Sequence, residues 1–137
     1  MSRPRVYVAG AMQADFHHDV HKNLARAIAL SAELVAEGFA PFCPHLQAAY
    51  LYAPAGDRIT LNDLMETDEA YLRTSDAVLL VPFSERSQGT RDELIVAEQL
   101  GVKVFRSIGK LIEWRENHES CDRKVAEVRS DCQISHK

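Results

Sequence analysis

The stretch that decides the fold is Asp76–Glu93, with the sequence DAVLLVPFSERSQGTRDE. Its apolar residues 77–81 form a continuous run, which favours a strand buried on both faces, as in a parallel sheet. A polar loop with Ser87 and Gly89 follows, and a helix is predicted to begin near Thr90. In open α/β sheets, ligands bind where the carboxyl end of a strand meets the following helix. The sequence therefore predicts a binding site in this stretch.

Two carboxylates, Asp92 and Glu93, fall in the first turn of that predicted helix. The helix dipole favours negative charge at this position. Glu93 also shares a helix face with Ala97 and Leu100, so its side chain is expected to point inward.

The composition is that of a globular protein with one domain. The chain has 137 residues, of which 46% are hydrophobic and 26% are charged. A formal charge of −4 lacks the basic surface that a nucleic-acid polymer or an anionic membrane requires. A small anionic substrate stays possible, because a helix N-terminus can bind phosphate.

The cysteines and the N-terminus predict a cytoplasmic protein. Cys43, Cys121 and Cys132 are odd in number and lack metal-ligand spacing, which indicates reduced thiols. No apolar run approaches the length of a membrane span, and the N-terminal residues lack the apolar core of a signal peptide.

The order of the predicted elements indicates a three-layer α/β sandwich with a parallel, flavodoxin- or Rossmann-like sheet. Strands are predicted at 5–10, 39–43, 77–81 and 102–105, and helices at 19–37, 62–74, 90–100 and 110–117. The expected strand order is 2-1-3-4, with either four or five strands, within a single domain at 1–117. A polar extension at 118–137, helical or disordered, completes the chain.

Two further features concern the position of the site. In the 2-1-3-4 order, the topological switch point lies between strands one and three, which brings the Gly10 loop beside the loop at 87–93. Pro41 interrupts strand two and favours an edge position. The connection 44–58 is predicted to be irregular, and a long loop of this kind is often functional.

Asp68 is the second informative carboxylate. It belongs to a helical stripe of apolar residues, which is made of Leu61, Leu64, Met65, Asp68 and Leu72. An unpaired carboxylate on a core-facing stripe is costly, so either Asp68 has a buried partner or this face lines a cleft.

Common nucleotide and nucleophile motifs are absent. After strand one there is no GxGxxG, and the chain has neither a phosphate loop ending in GK[ST] nor a GxSxG elbow. No His/Cys cluster has metal spacing, so we expect no metal and no cofactor. A pair of carboxylates, Asp68 and Glu93, suits acid/base catalysis or nucleophilic attack at an acetal-like carbon.

The sequence resembles the nucleoside 2-deoxyribosyltransferase-like superfamily over roughly residues 5–107. The resemblance depends on the strand VYVAG, on DAVLLVP, and on Ser87-x-Gly89-x-x-x-Glu93, with Asp68 upstream. The superfamily includes deoxyribosyltransferases, deoxynucleoside 5′-monophosphate N-glycosidases and uncharacterised relatives.

The resemblance implies a role for each matching residue. Glu93 would attack C1′ as the nucleophile, Asp68 would protonate or hold the departing base, and Tyr7 would orient Glu93. The implied substrate contacts are to the sugar's 5′ end and to the sugar-phosphate, from Ser87, Gly89, Gly10, Ala11 and Met12. At the carboxyl end of strand two, His45 is a further candidate substrate contact.

Ser87 favours a nucleotide hydrolase. Deoxyribosyltransferases commonly have an aspartate at this position, whereas the monophosphate N-glycosidases have a serine that can donate to phosphate. The expected function is thus an N-glycosidase acting on a (deoxy)nucleoside 5′-monophosphate through a glycosyl-glutamate intermediate. A deoxyribosyltransferase and a non-catalytic nucleotide-binding or sensing module are the alternatives. The resemblance also implies a homo-oligomer.

Overall fold

The computed structural model describes residues 3–10, 17–82, 84 and 87–118. Four strands lie in this part of the chain, and each is short. They are β1 (Arg5–Ala9), β2 (Ala40–Phe42), β3 (Ala77–Leu80) and β4 (Lys103–Phe105).

The four strands form one parallel sheet in the order β2-β1-β3-β4, which confirms the predicted topology. Pro41 lies on the edge strand β2, opposite Val6 of β1. At the start of the sheet, Asp76 joins β1 to β3: its carboxylate accepts from the Arg5 backbone N–H at 2.8 Å. The described residues contain no fifth strand.

Helices cover both faces of the sheet. Besides the strands, the described elements are α1 (His17–Ala36), α2 (Leu61–Arg73), α3 (Gln88–Leu100) and a helix over 108–118, which we call α4. Two 3₁₀ segments, Pro44–Tyr52 and Pro54–Arg58, fill the connection that was predicted to be irregular. A capping box at Thr60 and Asp63 fixes the start of α2.

Alternation along β1 separates two cores. Val6 and Val8 point to one face, where they pack with side chains from α1 and α4. Tyr7 and Ala9 point to the opposite face, where they pack with side chains from α2 and α3. We call these the α1/α4 face and the α2/α3 face. All four side chains are fully buried.

The apolar side chains of α1 are only partly covered. Ala27 and Leu34 are fully buried, but Ile28 and Val35 are 43% and 50% exposed. The position of the sheet decides which part of the apolar sector of the helix is covered. Gly38 follows the helix, adopts φ 92° and turns the chain into β2.

Candidate active site

The structure brings Asp68 and Glu93 to one side of the sheet. Asp68 on α2 lies one helical turn before buried Leu72, and Glu93 on α3 lies one turn before buried Ala97. Leu72 and Ala97 belong to the same core cluster under the two helices. Both carboxyl groups therefore lie one helical turn from that core, in the direction of the carboxyl edge of the parallel sheet.

The helix faces that carry the two carboxyl groups are more open than predicted. Leu61 and Met65 on the stripe of α2 are 65% and 53% exposed, and Leu100 on α3 is also exposed. Only the parts of the stripes nearest the sheet are covered. Asp68 and Glu93 are both partly buried, at the boundary between the core and solvent.

Tyr7 connects the sheet to Glu93. Its ring is fully buried and packs against Phe42, with the ring centroids 5.7 Å apart, and Phe42 in turn stacks on Tyr71 of α2 at 4.1 Å. Its hydroxyl donates a hydrogen bond of 3.1 Å to Glu93 Oε1. Burial raises the pKa of Tyr7, and the carboxyl groups of Glu93 and Asp68 raise it further, so the phenol keeps its proton. Tyr7 is thus a core aromatic and a fixed donor at once.

Glu93 is held with one oxygen bonded and the other without a partner. Oε1 accepts from Tyr7, while Oε2 is buried and has no hydrogen-bond partner among the described residues. Burial raises the pKa of Glu93 to about 8; the Tyr7 hydrogen bond opposes this shift, and the charges of Asp68 and Asp92 add to it. In the free protein, Glu93 is therefore mostly protonated at neutral pH.

This finding corrects the expectation that the helix dipole ionises Glu93. The helix α3 begins at Gln88, two residues earlier than predicted, and Ser87 is its N-cap. Glu93 consequently lies in the second turn, where the dipole has little effect on a side chain. Desolvation, rather than the dipole, decides its protonation.

Gln47 is a residue of this site that the sequence did not reveal. It lies in the first 3₁₀ segment and is almost fully buried. Its side-chain Nε2 donates a short hydrogen bond to Asp68 Oδ1, and its Oε1 is buried without a partner among the described residues. Partial burial raises the pKa of Asp68, and the bond from Gln47 opposes that shift. Asp68 thus has the buried partner that its place on the stripe requires.

The orphaned polar atoms concentrate here. Among the described residues, three buried side-chain atoms lack a hydrogen-bond partner: Gln47 Oε1, Thr90 Oγ1 and Glu93 Oε2. Thr90 lies one turn before Glu93 on α3 and is 1% exposed. Unsatisfied buried groups are rare in folded proteins, and their concentration is typical of a functional site.

His45 is buried at the carboxyl end of β2, next to Cys43. Its Nδ1 lies 3.9 Å from the Cys43 sulfur, and the Cys43 thiol contributes to the raised pKa of Tyr7. The structure therefore places His45 near the site, but the side chain is buried rather than exposed at the surface of the site. Its role as a substrate contact stays a prediction.

The other predicted contact residues have different structural roles. Ser87 caps α3, where its hydroxyl accepts from the Thr90 backbone N–H at 3.4 Å. Gly10 has a packing reason to be glycine, because a Cβ there would lie 2.6 Å from Val81 Cγ2. Gly89 has no such reason, since its nearest neighbour would lie 3.9 Å from a Cβ. Ala11 and Met12 lie outside the described residues.

Other parts of the described structure offer no comparable chemistry. A groove of about 550 Å³ runs between the second half of α1, the end of β3 and residues 106–108, on the α1/α4 side and away from the carboxyl pair. No group of three or more His, Cys, Asp or Glu side chains within the described ranges is arranged to hold a metal ion. None of the helices described here is both long enough and apolar enough to cross a bilayer.

The arrangement can perform nucleophilic and acid/base chemistry. A carboxyl group with one oxygen fixed by a phenol keeps its other oxygen in a defined direction. A second carboxyl group beside it, in a different environment, can hold or accept a proton. Two carboxyl groups of this kind suit substitution at an acetal-like carbon.

Comparison with known proteins supports the same fold. The family described as "Domain of unknown function (DUF4406)" matches residues 4–106. Among solved structures, the chain is similar to the 2-deoxyribosyltransferase from the psychrotolerant bacterium Bacillus psychrosaccharolyticus, with 17% sequence identity and a TM-score of 0.51. The match covers 73% of this chain and 69% of that chain. No curated protein matches. The predicted deoxyribosyltransferase-like fold is therefore confirmed.

Proposed function

The chain belongs to the DUF4406 family, a domain of unknown function, and we propose that it is an N-glycosidase. Its substrate would be a (deoxy)nucleoside 5′-monophosphate, and the reaction would cleave the bond between base and sugar by water. The observation that carries the proposal is the Tyr7–Glu93 hydrogen bond, which leaves Glu93 Oε2 buried beside Asp68 and without a partner in the described part of the chain. The similar fold of a 2-deoxyribosyltransferase gives this chemistry a precedent.

The proposed reaction has two steps. In the first, Glu93 Oε2 attacks C1′ of the sugar, the C1′–N bond breaks, and Asp68 gives its proton to the departing base. In the second, Asp68 takes a proton from water, the hydroxide oxygen bonds to C1′, and the Glu93 carboxylate leaves. Each step inverts C1′, so the product sugar retains its configuration. Tyr7 does not exchange a proton; it holds Oε1 so that Oε2 faces the sugar.

Ser87 and Gly89 are proposed to hold the 5′-phosphate. They lie at the start of α3, where backbone N–H groups point outward and favour an anion. A serine at position 87 adds no negative charge next to the phosphate. Gly89 is exposed, and nothing in the described fold requires a glycine there, which is consistent with close approach of a ligand.

A chromatographic assay tests the proposal. The wild-type protein is incubated with a panel of ribo- and deoxyribonucleoside 5′-monophosphates, and release of free base is compared with that of Glu93→Ala. Glu98→Gln, at an exposed position on the same helix, is the matched control and should behave like wild type. We expect release that is lost in Glu93→Ala alone. If no nucleotide is cleaved, the hydrolase proposal is wrong for that panel.

Two alternatives predict different results in the same assay. A deoxyribosyltransferase would incorporate an added free base into a new nucleoside or nucleotide. A nucleotide-binding or sensing module would raise its melting temperature with ligand but release no base, and its binding would tolerate Glu93→Gln.

We also propose a homo-oligomer. Several large apolar side chains around the first 3₁₀ segment and α2 are exposed: Leu46, Tyr50, Leu51, Tyr52, Leu61 and Met65. Such a concentration is unusual for the surface of a monomer. Light scattering coupled to size exclusion would give the mass, and a mass equal to one chain would contradict the proposal.

A further inference from the structure

The surroundings of the two carboxyl groups work against the protonation states that the proposed reaction needs. Attack by Glu93 requires an ionised Glu93 and a protonated Asp68. In the free protein, burial favours the protonated form of Glu93, whereas the hydrogen bond from Gln47 favours the ionised form of Asp68. Glu93 is the more deeply buried of the two, and its Oε2 has no donor among the described residues, whereas Asp68 receives a hydrogen bond from Gln47.

Gln47 is the group whose hydrogen bonding differs between the two protonation states of the Asp68–Glu93 pair. An amide has a donor end and an acceptor end of nearly the same shape. When Asp68 is ionised, Gln47 Nε2 donates to Oδ1, as the structure shows. When Asp68 carries the proton, its O–H can donate to Gln47 Oε1, the atom that now lacks a partner. Turning the amide over therefore satisfies the protonated state.

The other charged groups around the pair do not exchange a donor for an acceptor as the Gln47 amide can. Among the described residues, Tyr7 on β1 and Asp92 on α3 act electrostatically on the pair, and Cys43, which lies beside His45 at the end of β2, acts on Tyr7. Tyr7 is a fixed donor to Glu93, and Asp92 is exposed and paired with Gln88 at 2.8 Å. Within the described part of the chain, the hydrogen bond to the Asp68 carboxylate comes from Gln47.

We propose that Gln47 is a positioning residue that controls which carboxyl group carries the proton. Its amide donates to Asp68 in the resting site and turns over when the proton moves from Glu93 to Asp68. This inference rests on the proposed function for its biological meaning, since the exchange produces the protonation state that glycosidic attack needs. It does not rest on that function for its test, because the exchange is a property of the free protein.

The test is a carboxyl titration by NMR. Protein labelled with ¹³C at its carboxyl groups is followed from about pH 4 to about pH 10, and the midpoints of Asp68 and Glu93 are compared between wild type and Gln47→Met. Methionine keeps the length and flexibility of the side chain but can neither donate nor accept in the same way. We expect the Asp68 midpoint to rise by about one pH unit and the Glu93 midpoint to fall. An unchanged or lower Asp68 midpoint would overturn the proposal.

Gln88→Met is the matched control. Gln88 and Asp92 form the same kind of amide–carboxylate bond on the exposed surface of α3. Because solvent replaces this bond, we expect both midpoints of the Asp68–Glu93 pair to stay within a few tenths of a pH unit. An equal effect of Gln88→Met and Gln47→Met would contradict a specific role for Gln47.

A second measurement uses the wild-type protein and does not depend on the folding of a variant. The side-chain NH₂ resonances of Gln47 should shift with pH at the same midpoint as the Asp68 carboxyl, because the amide changes its partner there. Gln47 resonances that stay constant through the Asp68 midpoint would overturn the proposal. If base release fails in every assay but both NMR results hold, the proposed function is wrong while the control of protonation by Gln47 stands.

Discussion

The two faces of the sheet use the same strands and bury different chemistry. On the α1/α4 face, the buried cluster is apolar and includes Val6, Val8 and Leu34. On the α2/α3 face, the cluster holds Tyr7, and just beyond it lie the carboxyl groups of Asp68 and Glu93. Side-chain alternation along β1 is enough to create this difference. The comparison indicates that one face carries a purely apolar core, whereas the other carries the groups of the proposed site.

The difference has a consequence for stability. Apolar burial on the α1/α4 face is favourable throughout. The orphaned atoms on Gln47, Thr90 and Glu93 lower stability, because buried polar groups without partners are costly. A site that must bind and react can retain such groups, since a substrate supplies the missing partners. Substitutions on the two faces should therefore have opposite effects on stability and activity.

Glu93→Gln should give the largest change. It keeps the size of the side chain and its acceptor for the Tyr7 hydroxyl, but it removes the nucleophile. We expect base release to fall on the order of a thousandfold or more, with nearly unchanged nucleotide binding. Steady-state kinetics and calorimetric titration measure the two effects. Activity within tenfold of wild type would contradict the assignment of Glu93.

Leu34→Ala tests the opposite face. Leu34 is fully buried in the α1/α4 cluster, so its truncation leaves a cavity. We expect unfolding to become easier by about 2–5 kcal/mol in denaturant titration, while the activity of the folded fraction stays unchanged. A loss of activity without a loss of stability would contradict the assignment of stability to the α1/α4 face and of activity to the α2/α3 face.

Glu93→Gln should also stabilise the protein in a pH-dependent way. The folded-state pKa of about 8 lies above the ordinary glutamate pKa of 4.5, so folding favours the protonated group. Wild-type stability contributed by this group is present at low pH and is lost as the pH rises through about 8. The variant does not titrate here, so its melting temperature should exceed that of wild type by several degrees at alkaline pH. The difference should disappear near pH 4.5.

Tyr7→Phe should have a smaller effect than loss of the nucleophile. It keeps the ring that packs against Phe42 and removes the hydroxyl that holds Glu93. We expect base release to fall by roughly 10- to 100-fold. Because the hydroxyl lowers the pKa of Glu93, the rising limb of the pH–rate profile should move to higher pH. A lower rate with an unmoved limb would mean that Tyr7 acts only through packing.

Thr90→Val should give the smallest effect. The substitution removes a buried hydroxyl that lacks a partner and keeps the shape of the side chain. We expect the free energy of unfolding to rise by up to about 1 kcal/mol in denaturant titration. Ser75, whose hydroxyl donates to the Tyr71 carbonyl at 2.9 Å, provides the contrast: Ser75→Ala should not stabilise. A destabilised Thr90→Val would indicate that the hydroxyl has a partner.

The sequence predicted the arrangement of the fold because the strands carry strong local signals. The apolar run of β3 and Pro41 on the edge strand each depend on neighbouring residues alone. The parallel order 2-1-3-4 follows from alternating strands and helices with right-handed connections. These parts of the prediction are confirmed.

The structure brings Tyr7, Asp68 and Glu93 together as expected, whereas the electrostatic environment of Glu93 differs from the expectation. Tyr7 and Glu93 do contact each other, and Asp68 does lie beside them. The predicted start of α3 was two residues too late. Ser87 was interpreted as a loop residue that contacts substrate, whereas it is also the N-cap of the helix. The pKa of Glu93 depends on burial and on Tyr7 and Asp68, which are distant in sequence, so no local pattern reports it.

Gln47 was missed for a similar reason. A glutamine within a 3₁₀ segment has no characteristic spacing, and its bond to Asp68 joins positions 21 residues apart. One signal was available: a carboxylate on an apolar stripe requires a buried partner. That argument predicts the existence of a partner, but it cannot choose among the polar residues of the long connection.

The most direct test of the account is to detect the glycosyl-enzyme itself. Wild-type protein mixed with a cleavable nucleotide and quenched in acid should gain the mass of the substrate without its base, as measured by intact-protein mass spectrometry. Peptide mapping should place the added sugar-phosphate on Glu93, and Glu93→Gln should gain no mass. Sugar attached to Asp68 instead, or undiminished turnover by Glu93→Gln, would contradict the central claim that Glu93 is the nucleophile.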